Sequence, residues 1–256
     1  MPISKKKKVK KSSSAATEII NKILIASIIV CAAIFVGYKL FFGPDTFEVD
    51  KFRYPIFGID VSRHNGKINW EDIKSSNIDF VFIKSSEGRT LIDPWFKANL
   101  AGVKKENIRF GIYHFFKFNR DGNDQARLYL AQIKATKSDF PPILDIEEYT
   151  NTRSGKSIKD IVKEIKKFIS TVESSTGRKV IIYMNEHDYN KYIKDNFNDN
   201  PLWVCSLDEE PNIDRDWKFW QYTHRGKLKS QRGLFDFNTF NGGKAEWSRY
   251  LNSLSK

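Results

Sequence analysis

The chain has 256 residues, 40% of them hydrophobic, with 20 Phe, 10 Tyr and 6 Trp; that suits one sizeable domain with an apolar core plus a tail. Six of its +12 formal charges are Lys5, Lys6, Lys7, Lys8, Lys10 and Lys11, which leaves a moderately basic body suited to an anionic wall polymer or lipid surface. Nothing resembles a helix-turn-helix, a zinc finger or an RNP-type motif, which argues against nucleic acid.

Residues 1–18 are rich in Lys and Ser and lack periodicity, so they read as a basic, disordered cytoplasmic tail. The sixteen residues from Ile23 to Tyr38 carry no charge. Extended to Phe42, the apolar run reaches about 20 residues, enough to span roughly 30 Å of hydrocarbon. Residues 19–42 are therefore predicted to be a transmembrane signal anchor. The Lys cluster before it places the N-terminus in the cytoplasm and everything after Gly43 outside. A cleaved signal peptide is the alternative, although the run is long for one and no small-x-small site follows it near Gly43. A lipoprotein site at Cys31 fits less well, because Val30 stands where a small residue is expected. Cys31 and Cys205 are the two cysteines, 174 positions apart; a disulfide between them is not expected, and no metal-binding spacing exists.

Residues 43–55 read as a linker and 56–254 as the body. There, apolar runs of strand length alternate with helical patterns. Strands are predicted at Phe57–Val61, Phe80–Ser85, Phe110–Phe116, Ile143–Glu147, Val180–Met184, Leu202–Ser206, Phe219–Thr223 and Phe235–Asn238. Helices are predicted at Trp70–Ser75, Pro94–Lys105, Gly122–Ala135, Ser157–Ser174 and Glu186–Lys194. Ile158, Ile161, Val162, Ile165, Phe168, Ile169 and Val172 recur at helical spacing, after capping serines and before Gly177. Eight strands with interposed helices predict an α/β fold, a TIM-like (β/α) barrel. It should be irregular, because the last crossovers are too short for full helices. No Gly-x-Gly-x-x-Gly follows the first strand, which excludes a Rossmann reading.

In a parallel barrel the chemistry gathers at the C-terminal ends of the strands. Asp60, Glu87, Asp145, Glu147, Asp208 and Asp236 all fall at or near such ends. Asp145 and Glu147 are two apart on one strand, so they share a face about 7 Å apart, while Leu144 and Ile146 pack against helices. Mutual repulsion should hold one carboxyl protonated, as glycosidic cleavage requires. A solvated strand end reads equally well from this pair alone; acids at several other strand ends favour a site. Glu148 points away and reads as solvated or structural. His114 suits either a site hydrogen bond or a core position. Trp203, Trp220 and Tyr222 suit either a sugar cleft or the core. The histidines lack zinc-type pairing, so no metal or cofactor is expected, and no Gly-x-Ser-x-Gly elbow marks an esterase.

Taken together these pieces resemble glycoside hydrolase family 25, the muramidase or lysozyme family with a modified β/α barrel. They run in order from Gly58-Ile59-Asp60-Val61-Ser62 through Phe82-Ile83-Lys84 with Glu87-Gly88, Gly111-Ile112-Tyr113-His114-Phe115 and Leu144-Asp145-Ile146-Glu147. Ile182-Tyr183, Leu202-Trp203-Val204, Trp220-Gln221-Tyr222-Thr223 and Asp236-Phe237-Asn238 follow. The resemblance implies Glu147 as general acid, Asp145 as its partner carboxylate, and Asp60 and Asp236 as flanking aspartates. Glu87, Tyr113, His114, Tyr183, Trp203, Trp220 and Tyr222 are the expected substrate contacts. The implied substrate is the β-1,4 bond from N-acetylmuramic acid to N-acetylglucosamine in peptidoglycan, cut either through a covalent intermediate on Asp145 or, as favoured here, by the substrate's own acetamido oxygen. Competing readings are a catalytically silent glycan-binding barrel, an anchored scaffold, and a hydrolase of another N-acetylglucosamine-containing glycan such as chitin; for chitin the longer acidic strand signature is missing, since Pro141-Pro142 precede Ile143.

Overall fold

The computed structural model describes residues 10–42, 49–207, 209–229 and 231–254; Asp208 lies outside them. The N-terminal unit contains one helix, α1 (Lys10–Phe42). Its Thr17–Gly37 stretch is long and apolar enough to cross a membrane, judged by length and composition. Residues 10–18 were expected to be unstructured, yet they continue this helix. The Ser/Ala/Thr tract holds no Pro or Gly to stop it, and extending a formed helix is far easier than starting one.

In the second unit eight strands close a barrel among the described residues. They are β1 (Phe57–Val61), β2 (Phe80–Glu87), β4 (Arg109–Phe115), β5 (Ile143–Asp145), β6 (Ile181–Asn185), β7 (Leu202–Cys205), β8 (Phe219–Gly226) and β9 (Phe235–Phe240). A two-residue strand, β3 (Leu91–Ile92), hangs on β2, and the circuit closes through β1–β2 and β1–β9 pairing. Within the ring all neighbours are parallel except β9, which runs antiparallel to both β8 and β1; the appended β3 is antiparallel to β2. Its short hairpin from β8 is the irregularity that the missing crossover helix foretold. The helices α2 (Trp70–Ser75), α3 (Phe96–Lys105), α4 (Gly122–Ile133), α5 (Ile158–Thr176) and the short α6 (Glu186–Asp188) follow strands as expected, and α6 runs on as a π-helical turn, Tyr189–Ile193.

Strand alternation sorts the core into two layers. Ile59, Val61, Val81, Ile83, Leu144 and Ile146 face outward against the helices. Phe80, Phe82, Ile143, Ile181, Trp203 and Phe219 fill the inside. A C-terminal helix, α7 (Lys244–Leu254), was not anticipated. Its Trp247, Tyr250, Leu251 and Leu254 pack on the inner layer with Phe140 and Phe240. Their 3–4 residue spacing is a helical stripe that the sequence did contain. The body also starts earlier than residue 56. Val49 and Tyr54 are buried, Tyr54 packs on Trp217 and Trp220, and its hydroxyl donates to Glu210 at 2.6 Å.

α4 meets α5 so closely that a Cβ on Gly122 would stand 2.0 Å from the Glu164 carbonyl oxygen. Backbone cannot retreat as a flexible side chain can. Gly122→Ala is therefore expected to cost about 1–3 kcal/mol, read as a lowered midpoint in urea or thermal unfolding.

Candidate active site

At the C-terminal ends of the strands a cavity of about 320 Å3 is lined by Asp60, Glu87, Tyr113, Asp145, Glu147, Tyr183, Trp203 and Asp236, together with Lys84, Gln221 and His224. Asp60, Asp145 and Asp236 are borne on β1, β5 and β9; Glu147 stands two residues beyond the end of β5, which stops at Asp145. It still faces the cavity, as alternation from Asp145 requires, while Ile146 is fully buried in the outer layer.

Asp60 is clamped. Its Oδ2 accepts from Gln221 Nε2 and from Asn238 Nδ2, each at 2.8 Å. Gln221 in turn accepts from the Tyr183 hydroxyl at 2.7 Å, and Asn238 accepts from Trp203 Nε1 at 2.8 Å. One network thus fixes the aspartate and both aromatic walls, whose rings lie 4.4 Å apart. Burial first, and then the charge of Asp236, push Asp60 well above the usual carboxylate range.

Asp145 is 6% exposed, and its Oδ1 is buried without a hydrogen-bond partner. Burial and then repulsion from Glu147 raise it well above the ordinary value. Glu147 is raised too, chiefly by burial, against the Thr150 hydroxyl that donates to its Oε2 at 2.9 Å. Repulsion within the pair was expected to hold one carboxyl protonated; it acts on Asp145, the more enclosed of the two.

Glu87 joins the cavity through a β-bulge. Lys84 pairs with Tyr113 and Ser86 with His114, so Ser85 is an extra residue and the alternation is reset. Lys84 and Glu87, three apart, then share one face and pair at 2.8 Å, with Lys117 at 3.1 Å from the same carboxylate. A second bulge at Tyr222–Thr223 returns His224 to the cavity. Its Nδ1 lies 2.8 Å from Asp236 Oδ1, and that carboxylate, then Cys205, push the imidazole up to about 10.

Three expected contacts are not in the cavity. His114 is fully buried behind the barrel wall, between Ser86 and Gln125 and stacked on Phe168; burial drives it down to about 3 and keeps it neutral. Trp220 and Tyr222 belong to the outer core, where Trp220 Nε1 donates to Ser206 O. Strand parity decides this: Tyr113 faces in, so His114 faces out, and Gln221 faces in, so Trp220 and Tyr222 do not. Lys84, Gln221, Asn238 and His224 were missed. Parity with Phe219 and Asp236 would have found Gln221 and Asn238, and parity with Phe80 and Phe82 would have found Lys84; the second bulge hid His224.

Glu148 is structural. It pairs with Lys191 and Arg153 and lies near His187. Glu148, His187 and Asp188 come within 4.8 Å of one another, but the two cations already neutralise Glu148. A larger hollow of about 730 Å3, beside α4 and the end of α5, contains Leu130, Ile133, Phe140 and Arg178 and no carboxylate; its size does not make it the reactive site.

The model of glycosyl hydrolases family 25 matches residues 59–231. The chain belongs to glycoside hydrolase family 25. It is a glycoside hydrolase of the lysozyme, or muramidase, kind. Among family relatives, lysozyme M1 of Streptomyces globisporus is 32% identical over 212 residues, covering 77% of this chain and 72% of that one. The uncharacterised Escherichia coli protein YegX is 34% identical over 210 residues, 79% of this chain and 76% of its own. A family 25 glycosyl hydrolase structure from Bacillus anthracis superposes with a TM-score of 0.73 at 34% identity, covering 80% of this chain and 96% of that one. The family 25 barrel thus accounts for the closed mixed sheet.

Proposed function

We propose that this family 25 barrel hydrolyses the β-1,4 bond between N-acetylmuramic acid and N-acetylglucosamine in peptidoglycan, with Glu147 as general acid and Asp145 as the orienting, stabilising carboxylate. The observation that carries this reading is the buried, unpartnered Oδ1 of Asp145 beside Glu147. A carboxylate oxygen left bare in a low-dielectric pocket is costly unless a ligand supplies a donor. The N–H of a 2-acetamido group is such a donor. Held there, the acetamido oxygen attacks the anomeric carbon, Glu147 protonates the departing oxygen, and configuration is retained. The same hydrogen bond favours ionised Asp145, so the proton of the pair resides on Glu147 when substrate is bound. Asp60 and Asp236 flank the reacting sugar, and Glu87, Tyr113, Tyr183 and Trp203 line it.

Muropeptides released by the enzyme are expected to carry reducing-end muramic acid in mass spectrometry. Reducing-end glucosamine would replace this reading with a glucosaminidase, and bound but uncut glycan would leave a binding module. The pH profile follows from Glu147. A general acid works only while protonated, so kcat persists below its pKa and falls as pH rises through it. Because burial raises that pKa, the fall should begin above the ordinary carboxylate range. Thr150→Val removes a donor to the charged form and should move the alkaline limb higher still.

For the whole chain we propose a cytoplasmic tail before residue 19, a membrane anchor at 19–42 and an extracytoplasmic catalytic body that includes Val49 onward. A mature protein that keeps its N-terminus in the membrane fraction supports the anchor; a new N-terminus near Gly43 would make the helix a signal peptide.

A further inference from the structure

β7 ends in a thiol beside His224, which lines the acid-bearing cavity. Cys205 shares the inward face of that strand with Trp203 and is free and partly exposed. Its Sγ lies 3.9 Å from His224 Nε2, and the opposite ring nitrogen, Nδ1, lies 2.8 Å from Asp236 Oδ1. Nucleophile, imidazole and orienting carboxylate are therefore in series, the arrangement that activates a cysteine. None of the proposed glycosidic steps uses the sulfur or the ring.

We infer that Cys205 is a modification site, a nucleophilic thiol that takes peroxide-class oxidants and, once oxidised, stops glycan cleavage. His224 is charged at neutral pH, so its Nε2–H donates to the sulfur and it stands ready to deliver a proton. Having released its S–H proton to solvent, the sulfur attacks one peroxide oxygen and the O–O bond breaks. Sulfur is oxidised by two electrons to the sulfenic acid, and the departing hydroxide takes the Nε2 proton and leaves as water. An acyl-transfer role fits less well. The Ser206 amide, where the oxyanion donor next to the nucleophile would stand, is already spent on Gln221 O at 3.1 Å. The added oxygen has to enter the gap between Sγ and Nε2. It displaces His224 from Asp236, which is paired in register with Asp60 across β1 and β9, and so disturbs the acid-lined mouth.

The test uses the full chain in detergent micelles, treated with hydrogen peroxide and then with dimedone to trap sulfenic acid. In that sample peptide mass spectrometry should place the adduct on Cys205; in a parallel sample given peroxide without dimedone, dye release from labelled peptidoglycan should fall more than about tenfold and return with dithiothreitol. Cys205→Ala and Cys205→Ser should keep their release under peroxide, while Cys31→Ser behaves as the parent chain. His224→Gln, verified as folded by thermal melting, should slow adduct formation about tenfold. No adduct on Cys205, an equal loss of release in Cys205→Ala, or an unchanged labelling rate in His224→Gln would overturn the inference. The adduct is read independently of glycan cleavage, so a failure of the proposed muramidase mechanism remains distinguishable.

Discussion

Glu147→Gln is expected to lower kcat on peptidoglycan by about 10³-fold, the typical weight of a positioned general acid, while leaving the fold intact. Gln keeps the shape of the side chain and can still accept from the Thr150 hydroxyl, which is 2.9 Å from Oε2 in the parent. It cannot release a proton to the leaving oxygen. Glycan binding should persist, so KM moves little while kcat collapses. Dye release measured beside a glycan pull-down separates the two. A variant that retains more than about a tenth of parental turnover would remove Glu147 from the role of acid.

Asp145→Asn should combine two large effects of opposite sign, a kcat lower by about 10³-fold and a melting temperature higher by a few degrees at pH 7. The second effect follows from burial. The carboxyl sits in the cavity wall with Oδ1 unpaired, and its folded pKa is raised above the unfolded value. A raised folded pKa means that the native state binds the proton more tightly. Its contribution to stability is present at low pH and is lost as pH rises through the folded pKa. Removing the ionisable group abolishes that loss, which is why the substitution stabilises at neutral pH. Melting curves from pH 4 to 8 should therefore show a shallower decline in the variant. The mechanism is tested in the same protein: a glycosyl adduct trapped on Asp145 in the parent would replace the acetamido route with a covalent one.

Much of the fold is legible because strand and helix periods are local properties. Leu144 and Ile146 outside with Asp145 and Glu147 inside follow from alternation alone. So does the buried stripe of α5, from Ile161 to Val172. The same rule, applied with equal strictness, also rejects His114 beside Tyr113, and Trp220 and Tyr222 on either side of Gln221, so those three expectations failed through application and not through missing information. Glu87 and His224 differ in kind. Each reaches the cavity because a bulge breaks the period of two, and a bulge depends on the register of the neighbouring strand.

By itself, then, the sequence determined the apolar N-terminal helix, the succession of strands and helices, and the inward face on which Asp60, Asp145 and Glu147 lie, because each is written within a few adjacent residues. The tertiary structure alone decided that β9 closes the ring antiparallel, that Asn238 reaches back 178 positions to Asp60, and that His224 stands between Asp236 and Cys205. It also decided how the acids share charge. Repulsion is set by distances across the barrel and desolvation by what surrounds each carboxyl, and neither quantity exists until the strands have closed.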